Sequence, residues 1–464
     1  MGHDRNQKIT IKYKFQVPSK LSDTLGRDLI NSRWKKIIKA IENKRVEEVL
    51  DEVKSIGRKN SFITLPHPFK ENINTYAIKN TRKGMCNFIF FVDEDHQYPW
   101  VLCQCTSFVD AIFTNEYSAG HKLSTNGAII IKSAKKILKE KDNICWINSK
   151  EKRIKFSGYI LDQTRPYHHF YDQLKWFIHL KPQKPITSKK SFFIPNCYKI
   201  KETTNNKDAT VSIFPLVIGS NQLGTKLDIY SDRMEKLVYE DSIRDLHYKN
   251  LLTKLRESIN IIKGIRKKKR TLILWFGISG QKRIWIEQEE FLPALVEQLN
   301  PYFDSFIFAI DGYTQYENAM FDDENISKKI PIKQDMEIVD SIRKKLLAYS
   351  NTTVISLVGK TYREKIQICR NVHLFIANAG AGQLVPHRFC KKPGILHSNE
   401  KHCVFPMGID NTTVKLVDKS LVKDVGNLFA SSKEKDKSGA GLVSYSIDVK
   451  VMVNIAKAML HPVN

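Results

Sequence analysis

The sequence predicts an α/β protein whose C-terminal half contains a parallel β-sheet, and three observations support this prediction. Beyond Arg270, short apolar segments alternate with segments in which apolar residues recur at helical spacing. Several apolar segments run directly into glycine or a polar residue, as strands do where a parallel sheet binds a ligand. The chain, at 464 residues, is long enough for two or three domains with buried cores.

The predicted elements of the C-terminal half follow a regular order. Strands are expected at residues 271–276, 305–310, 353–358, 374–377 and 394–396, and helices at 287–299, 335–347, 362–370 and 447–460. Strands joined by helices form parallel sheets with right-handed crossovers, and such sheets bind ligands beyond the carboxyl ends of their strands. The loops that start at Gly277, Asp311, Gly359 and Asn378 are therefore expected to meet at one edge.

Three regions are expected along the chain. They are a basic, mainly helical extension at residues 1–85, an α/β domain at 86–265, and the domain with the parallel sheet at 270–464. Before Arg270, strands are predicted at 87–92, 100–105, 128–131, 144–147, 154–160, 191–194 and 211–218, and helices at 33–43, 46–53, 165–177 and 242–265. Residues 431–440 are predicted to form a polar loop.

The formal net charge of +26 has three interpretations. Lysines can simply cover the surface, or the charge can attract an anionic membrane or substrate, or it can attract nucleic acid. The longest basic run, Arg266–Arg270, precedes a predicted buried strand and fits a solvated loop as well. No zinc-finger, RRM or KH motif supports nucleic acid, so no nucleic-acid partner is expected.

Compartment and cofactor class follow from the cysteines and the N-terminus. Eight cysteines without a CxxC pair indicate reduced, buried thiols rather than a disulfide scaffold or a metal site. The first residues lack the apolar segment of a signal peptide, and no apolar run approaches the ~20 residues that cross a bilayer. The protein is expected to be cytoplasmic.

The first candidate binding segment is Gly277–Arg283, here called the basic loop. It follows a predicted strand and contains Ser279, Gly280, Lys282 and Arg283. Backbone amides and cationic side chains suit a diphosphate. The loop lacks the GxGxxG and GK[ST] spacings of dinucleotide and P-loop sites. A solvated loop without a ligand is the alternative.

The second candidate segment is Asn378–Gly382, here called the glycine turn. It follows the predicted strand 374–377 and opens toward a predicted helix. Gly380 and Gly382 lack Cβ atoms, so the backbone can approach a ligand closely, and amides in such a turn bind phosphate. Two glycines also occur in strand-to-helix turns for steric reasons alone.

Acid–base chemistry is predicted in the segment from Arg165 to Phe177. His168 or His169 can meet Asp172 on one helical turn, and an imidazole oriented by a carboxylate can remove a proton from a hydroxyl. The alternative is an aromatic-rich helix that packs into the core. Asp93 and Asp95 form a DxD sequence that suits either a divalent metal or, as we favour, a hairpin turn.

Two of these segments resemble motifs of a known family. Tyr167–Leu174 resembles an N-x-x-H-[FW]-x-x-[DE]-x-L motif, and the glycine turn resembles a strand followed by H-G-A-G. The chain is similar here to GT-B glycosyltransferases, namely the family of plant xylan glycosyltransferases and the EGF-domain O-GlcNAc transferase, with bacterial capsule and lipopolysaccharide relatives. It departs from the family pattern at Ala379, where the histidine is usual, and at Pro393–His397, where an acidic ending is common.

The resemblance implies an α/β, GT-B-like fold with two Rossmann-like domains facing a cleft, preceded here by an N-terminal α+β extension. It also implies an inverting transfer from a nucleotide sugar to a glycan hydroxyl without a cofactor or bound metal. The implied donor-binding residues are Gly277, Ser279, Gly280, Lys282, Arg283, Asp311, Lys360, Asn378, Gly380 and Gly382. His168, His169 or Asp172 would activate the acceptor.

The resemblance and the basic charge together suggest a biological setting. The expected acceptor is an anionic, lipid-linked glycan used in capsule or lipopolysaccharide synthesis, so the inner membrane face is a candidate partner. A metal-dependent GT-A transferase that uses Asp93 and Asp95, and a basic nucleic-acid-binding protein with a Rossmann-like domain, are the alternative functions.

Overall fold

The computed structural model describes most of the chain and divides it into two compact units. The described residues are 10–12, 15–43, 45–56, 62–83, 86–105, 107–120, 127–138, 145–147, 153–156, 158–161, 163, 165–180, 186–187, 191–198, 211–212, 228–244, 252–265, 270–317, 330–403, 413–428 and 442–460. The first unit comprises Met1–Ser191 and Cys197–Thr225, and the second comprises Phe192–Asn196 and Lys226–Asn464. This division differs from the expected boundaries at residues 85 and 265–270.

The first unit is built on a six-stranded antiparallel sheet. Its strands are β2 (Thr64–Pro66), β3 (Asn74–Lys83), β4 (Cys86–Val92), β5 (Trp100–Gln104), β6 (Ala111–Thr114) and β7 (Ser118–Gly120), paired in that order. The predicted hairpin is confirmed, because β4 and β5 pair from Asn87 with Gln104 to Phe91 with Trp100. Because β3 pairs with β4, the expected boundary at residue 85 falls inside a hairpin.

The remaining elements of the first unit are helices and short strand pairs. The helices are α1 (Leu25–Asp28), α2 (Ser32–Glu42), α3 (Val46–Ile56), α4 (Gly127–Leu138), α5 (Pro166–His168), a π-helical segment (His169–Leu174) and α6 (Lys175–Leu180). The strands are β1 (Thr10–Lys12), β8 (Cys145–Ile147), β9 (Lys155–Phe156), β10 (Tyr159–Ile160), β11 (Ile186–Thr187) and β12 (Val211–Ser212). The predicted helix pair in the N-terminal extension and the helix after Arg165 are thereby confirmed.

Both faces of the antiparallel sheet are covered, which explains why β4 is buried throughout and is apolar from Phe88 to Val92. Phe88 and Phe90 face a core cluster that includes Ile130 of α4. On the opposite face, the Trp100 ring stacks on Phe91 at 4.3 Å between ring centroids. A strand buried on both faces loses the alternation of apolar and polar residues that marks a half-exposed strand.

The strand predicted at 128–131 is wrong, since these residues lie in α4. Ile130 is followed by buried apolar residues four and seven positions later, Ala134 and Ile137, which share one helical face. The prediction used only the short apolar run, which does not distinguish a strand from a buried helix.

The strand predicted at 191–194 is also wrong. The amide of Ile194 donates to the Glu317 carboxylate, and its carbonyl accepts from Arg363, so side chains rather than a neighbouring strand satisfy this backbone. The helix predicted at 242–265 is observed as α7 (Ile229–Arg244) and α8 (Leu252–Ile265). The predictions for 213–218, 245–251, 266–269 and 431–440 lie outside the described residues.

The second unit contains the predicted parallel sheet, which is confirmed, with one strand, β18, more than the five predicted. Its strands are β13 (Thr271–Gly277), β14 (Ser305–Asp311), β15 (Thr352–Ser356), β16 (Leu374–Asn378), β17 (Gly394–His397) and β18 (Val414–Leu416). They are arranged in the order β15-β14-β13-β16-β17-β18, and every neighbouring pair is parallel. The strand order therefore reverses direction at the β13–β16 pair, and the carboxyl end of this pair is called here the switch point.

Helices and a small antiparallel pair complete the second unit. The helices are α9 (Gln288–Leu299), α10 (Ile330–Leu346), α11 (Tyr362–Cys369) and α12 (Val449–Leu460), with a π-helical segment (Leu384–Phe389) and 3₁₀ turns at Ala381–Gln383 and Lys419–Leu421. The paired strands are β19 (Lys423–Gly426) and β20 (Ser444–Ser446). Leu274 and Phe276 of β13, Phe291 of α9, Val339 of α10 and Met452 of α12 belong to one buried cluster.

The expected second Rossmann-like domain is not observed among the described residues. The sheet of the first unit is an antiparallel meander, whereas a Rossmann-like domain has a parallel sheet. The coarser prediction, a mixed α/β chain with a parallel sheet in its C-terminal half, is confirmed. Within the described ranges, no helix is both long and apolar enough to cross a membrane.

The tight contact between Gly394 and the Phe375 ring in the parallel sheet gives a stability prediction. Gly394 pairs with Phe375, and a Cβ at Gly394 would lie 2.2 Å from an atom of the Phe375 ring. We expect Gly394→Ala to lower the free energy of unfolding by about 3 kcal/mol, because the strand or the ring must move. Chemical denaturation of the full chain measures this change.

The matched control is Gly264→Ala, in helix α8. A Cβ at Gly264 meets no atom within 4 Å, and alanine favours helices, so stability should stay equal or rise by about 0.5 kcal/mol. Equal effects of the two substitutions would contradict the packing argument.

Candidate functional site

The carboxyl edge of the parallel sheet brings together the loops that the sequence selected. Gly277 pairs with Asp311 at the ends of β13 and β14, and Asn378 pairs with His397 at the ends of β16 and β17. A Cβ at Gly277 would lie 3.3 Å from the Cα of Ala377. Gly277 therefore allows β13 and β16 to approach closely at the switch point.

The basic loop and the glycine turn meet through Arg283 and Gly380. A Cβ at Gly380 would lie 2.8 Å from Nη2 and 3.3 Å from Cζ of Arg283, so the guanidinium lies directly on the turn. Arg283 has a φ of 50°, in the left-handed region that non-glycine residues rarely adopt. This backbone conformation turns the side chain at the end of the loop. The structure thus places a cation at the switch point.

Burial affects the pKa of this cation, the Arg283 guanidinium. It lowers the pKa of the Arg283 guanidinium, and the nearby Tyr445 opposes that change. Arginine nevertheless stays protonated in proteins. Nε of Arg283 is buried and has no hydrogen-bond partner among the described residues. A half-buried guanidinium with an unused donor is suited to an anionic ligand.

A chain of hydrogen bonds holds the glycine turn. The amide of Gly380 donates to Oδ1 of Asn378 at 3.0 Å, and Nδ2 of Asn378 donates to the Tyr445 hydroxyl at 3.3 Å. The same hydroxyl lies 2.7 Å from Nδ1 of His397. Burial lowers the pKa of His397 to about 3, so its imidazole is neutral at physiological pH.

Ser279 and Gly280 shape the basic loop. The Ser279 hydroxyl donates to the carbonyl of Lys282 at 2.8 Å, and the amide of Gly280 donates to Oδ1 of Asp335 at 2.8 Å. The amide of Ser279 donates to Oε1 of Gln288 at 3.1 Å. These polar groups therefore have partners inside the protein, while the Lys282 side chain is exposed.

Asp335 links two of the loops at this edge, although it belongs to no motif of the sequence. Besides the amide of Gly280, it accepts from the amide of Tyr313 at 2.7 Å. Burial raises its pKa, and the two backbone amides oppose that change. Asp335 is the first residue of the helix predicted at 335–347. Its burial, which the sequence does not show, distinguishes it from an ordinary surface acid.

Asp311 forms an internal ion pair. Oδ1 of Asp311 lies 2.5 Å from Nζ of the fully buried Lys365, which also donates to the carbonyl of Gly312 at 3.0 Å and to Thr314 Oγ1 at 2.6 Å. Burial raises the pKa of Asp311, and Lys365 opposes that change. These contacts show Asp311 positioning the loop after β14.

Lys360 and Gly382 complete the set at this edge. Nζ of Lys360 lies 3.5 Å from Oε1 of Glu364, and Lys360 follows Gly359, which has a φ of 76°. Gly382 lies in the 3₁₀ turn that leads from the glycine turn into the π-helical segment. The predicted change from strand to turn to helix is therefore confirmed, with short helical elements in place of an α-helix.

The first unit contains the predicted acid–base pair. Nδ1 of His168 lies 2.5 Å from Oδ2 of Asp172, which is 2% exposed, while the His168 side chain is 32% exposed. His169 is fully buried beside Phe170. The structure thus pairs His168 rather than His169 with the carboxylate. The pair adjoins a π-helical segment, a feature frequent at functional sites.

The DxD sequence forms the predicted turn. Oδ1 of Asp93 accepts from the amide of Tyr98 at 2.7 Å, across the connection between β4 and β5. The turn interpretation is confirmed by this contact. In the part of the chain that the structure describes, no group of three histidine, cysteine or acidic side chains is arranged to hold a metal ion.

Comparison with known proteins gives distant structural likenesses. No protein-family model and no curated protein matches the chain. It is similar to a glycosyl transferase family 9 structure from Veillonella parvula DSM 2008, at 10% identity and a TM-score of 0.35, over 66% of this chain and 97% of that one. It is also similar to the N-terminal domain of trehalose-6-phosphate phosphatase from Candida albicans, at 15% identity and a TM-score of 0.22, over 40% and 36%.

The buried His397 gives a prediction for the pH dependence of stability. Its pKa is about 3 in the folded chain against an ordinary 6.5, so the unfolded chain binds a proton that the folded chain excludes. Stability is therefore complete above pH 6.5 and falls as the pH drops toward 3. One such histidine changes the free energy of unfolding by about 2 kcal/mol between pH 7.5 and 5.0.

Replacing the histidine tests this prediction. Asn keeps an acceptor near the position of Nδ1 but does not titrate, so the drop in stability between pH 7.5 and 5.0 should be about 2 kcal/mol smaller in His397→Asn than in the unchanged protein. Chemical denaturation at the two pH values measures the difference. An identical drop in both proteins would refute the neutral, buried imidazole.

Proposed function

We propose that this protein is a glycosyltransferase that binds a nucleotide-sugar donor at the carboxyl edge of its parallel sheet. One observation carries the proposal: the guanidinium of Arg283 lies against Gly380 at the switch point. In sheets of this strand order, ligands with phosphate groups bind where the order reverses. A diphosphate accepts hydrogen bonds from backbone amides and from a guanidinium fork, and both are present there.

The proposed donor contacts divide into binding and positioning residues. Arg283 and the amides that begin the 3₁₀ turn Ala381–Gln383 would bind the diphosphate. Gly380 leaves room for the guanidinium, and Gly382 leaves room for the ligand. Lys360 and Asn378 would contact the ribose, base or sugar. The positioning residues are Gly277, Ser279, Gly280 and Asp311, whose polar groups and packing hold the loops, and Lys282 adds positive charge at the rim.

The proposed chemistry needs a stabilised leaving group and a base. Arg283 would stabilise the negative charge that develops on the departing nucleoside diphosphate, so no bound metal is invoked. His168, oriented by Asp172, would accept the proton of the acceptor hydroxyl. In an inverting transfer, the acceptor oxygen bonds to the anomeric carbon opposite the leaving diphosphate. The motif resemblance of residues 167–174 and 378–382 supports this reaction type.

The acceptor is proposed only as a glycan hydroxyl. A basic surface supports an anionic acceptor, and α2 contributes exposed lysines at positions 35, 36 and 39 while its apolar side is buried. The lipid-linked form and the capsule or lipopolysaccharide pathway stay predictions from the sequence. So does the location on the inner membrane face.

The donor assignment is tested by neutralising Arg283. The unchanged protein is screened by thermal shift against nucleoside diphosphates and nucleotide sugars, because a specific ligand raises the unfolding temperature by mass action. Calorimetric titration then compares the winning ligand with Arg283→Gln, for which we expect an affinity about 10- to 100-fold lower, since a charge-assisted hydrogen bond is lost.

Arg270→Gln is the matched control. Arg270 precedes β13, at the opposite end of that strand, and pairs with Asp304 at 2.7 Å on the surface. The Arg270→Gln substitution removes the same charge and should leave the affinity unchanged. If the two variants weaken binding equally, or if Arg283→Gln has no effect, the donor site at the switch point is wrong.

The base assignment is tested by His168→Gln. Release of nucleoside diphosphate from the bound donor, with a panel of glycan acceptors, should fall about 100-fold or more, whereas donor affinity should not change. His179→Gln is the control, because His179 also contacts a carboxylate, with Nε2 at 3.1 Å from Glu47. Turnover that survives in His168→Gln and fails in His179→Gln would exclude the proposed base.

A further inference from the structure

Tyr445 lies outside every motif of the sequence, yet it contacts the glycine turn and the segment that directly follows the basic loop. It belongs to β20, near the C-terminal end of the chain, and is fully buried. Its backbone amide donates to the carbonyl of Ile284 at 2.9 Å, and its carbonyl accepts from the amide of Ile286 at 3.0 Å. The residues that directly follow Arg283 are therefore fixed to the Tyr445 backbone.

The Tyr445 side chain extends from that backbone to the glycine turn. Because the Gly380 amide can only donate, it identifies Oδ1 of Asn378 as the acceptor and leaves Nδ2 as the donor to the Tyr445 hydroxyl. The hydroxyl proton is then available to Nδ1 of His397, at 2.7 Å. One hydroxyl thus orients the side chain on which the turn depends.

Burial keeps the side chains of Tyr445 and His397 neutral. Burial raises the pKa of Tyr445 far above its ordinary value, and burial lowers the pKa of His397 to about 3. The hydrogen bond with Asn378 and the nearby cation Arg283 lower the pKa of Tyr445 against the effect of burial. The linkage therefore positions atoms without adding charge that would compete for an anionic ligand.

We propose that Tyr445 is a positioning residue for the donor diphosphate. Its side chain holds the glycine turn, and its backbone in β20 holds the segment that directly follows Arg283. The proposal rests on the proposed donor site. Tyr445 itself touches no substrate. Its hydroxyl holds the Asn378 amide, which holds the Gly380 amide, and its backbone holds the segment after Arg283. Without the hydroxyl, the turn loses its orientation relative to the guanidinium.

Tyr445→Phe tests the proposal, with the ligand chosen by the nucleoside diphosphate screen. We expect its affinity by calorimetry to fall about tenfold, the effect of losing one buried hydrogen bond in a network. Tyr349→Phe is the control. It removes a hydroxyl that donates to Glu297 at 2.6 Å, before the amino end of β15 and outside the site, and should leave the affinity unchanged.

A double-mutant cycle separates positioning from direct contact. Asn378→Ser keeps an oxygen that can accept from the Gly380 amide but is too short to reach Tyr445. If Asn378 and Tyr445 act through one linkage, the double variant binds no more weakly than Asn378→Ser alone. If their losses multiply, Tyr445 acts independently of the turn and the proposal is overturned.

The outcomes distinguish this inference from the proposed function. Unchanged affinity in Tyr445→Phe overturns the inference and leaves the donor site intact. If the unchanged protein binds no nucleoside diphosphate or nucleotide sugar, the proposed function falls and the inference with it. Circular dichroism checks that each variant folds. Should Tyr445→Phe not fold, Asn378→Ser decides, because unchanged affinity in that variant also overturns the inference.

Discussion

The contact between the Arg283 guanidinium and Gly380 is the constraint on which the site depends. It requires a residue without a side chain at 380, since a Cβ there would lie 2.8 Å from Nη2. It also requires the left-handed backbone at Arg283, where φ is 50°, which costs an ordinary residue about 1 kcal/mol or more. Both requirements are met at the switch point, where the strand order of the sheet reverses.

Buried polar groups beneath the loops give this edge its shape. The Asp311–Lys365 ion pair and the two amides held by Asp335 fix the loops after β13 and β14. Such a pair adds little net stability, because removing two charges from water offsets most of their attraction. Its effect is geometric: each loop has one arrangement in which its buried polar groups are satisfied. The same principle applies to the hydrogen bonds among Asn378, Tyr445 and His397.

The sequence was sufficient for those features that depend on local pattern. Five of the six strands of the parallel sheet, the glycine turn and the basic loop are contiguous segments, and their periodicity and glycines identify them. The sixth strand, β18, has only three residues and was not predicted. Asp335 and Tyr445 lie far along the chain from the loops they hold, and no local pattern marks them. The apolar run at 128–131 failed for another reason: four apolar residues suit a strand and a buried helix equally, and packing in the first unit decides between them.

The position of Tyr445 has a consequence for synthesis on the ribosome. All six strands of the parallel sheet precede residue 417 in the chain, so they leave the ribosome before β20 does. The glycine turn gains its anchor only when β20 follows. A nascent chain therefore passes through a stage in which the strands of the sheet have emerged and the anchor of the glycine turn has not.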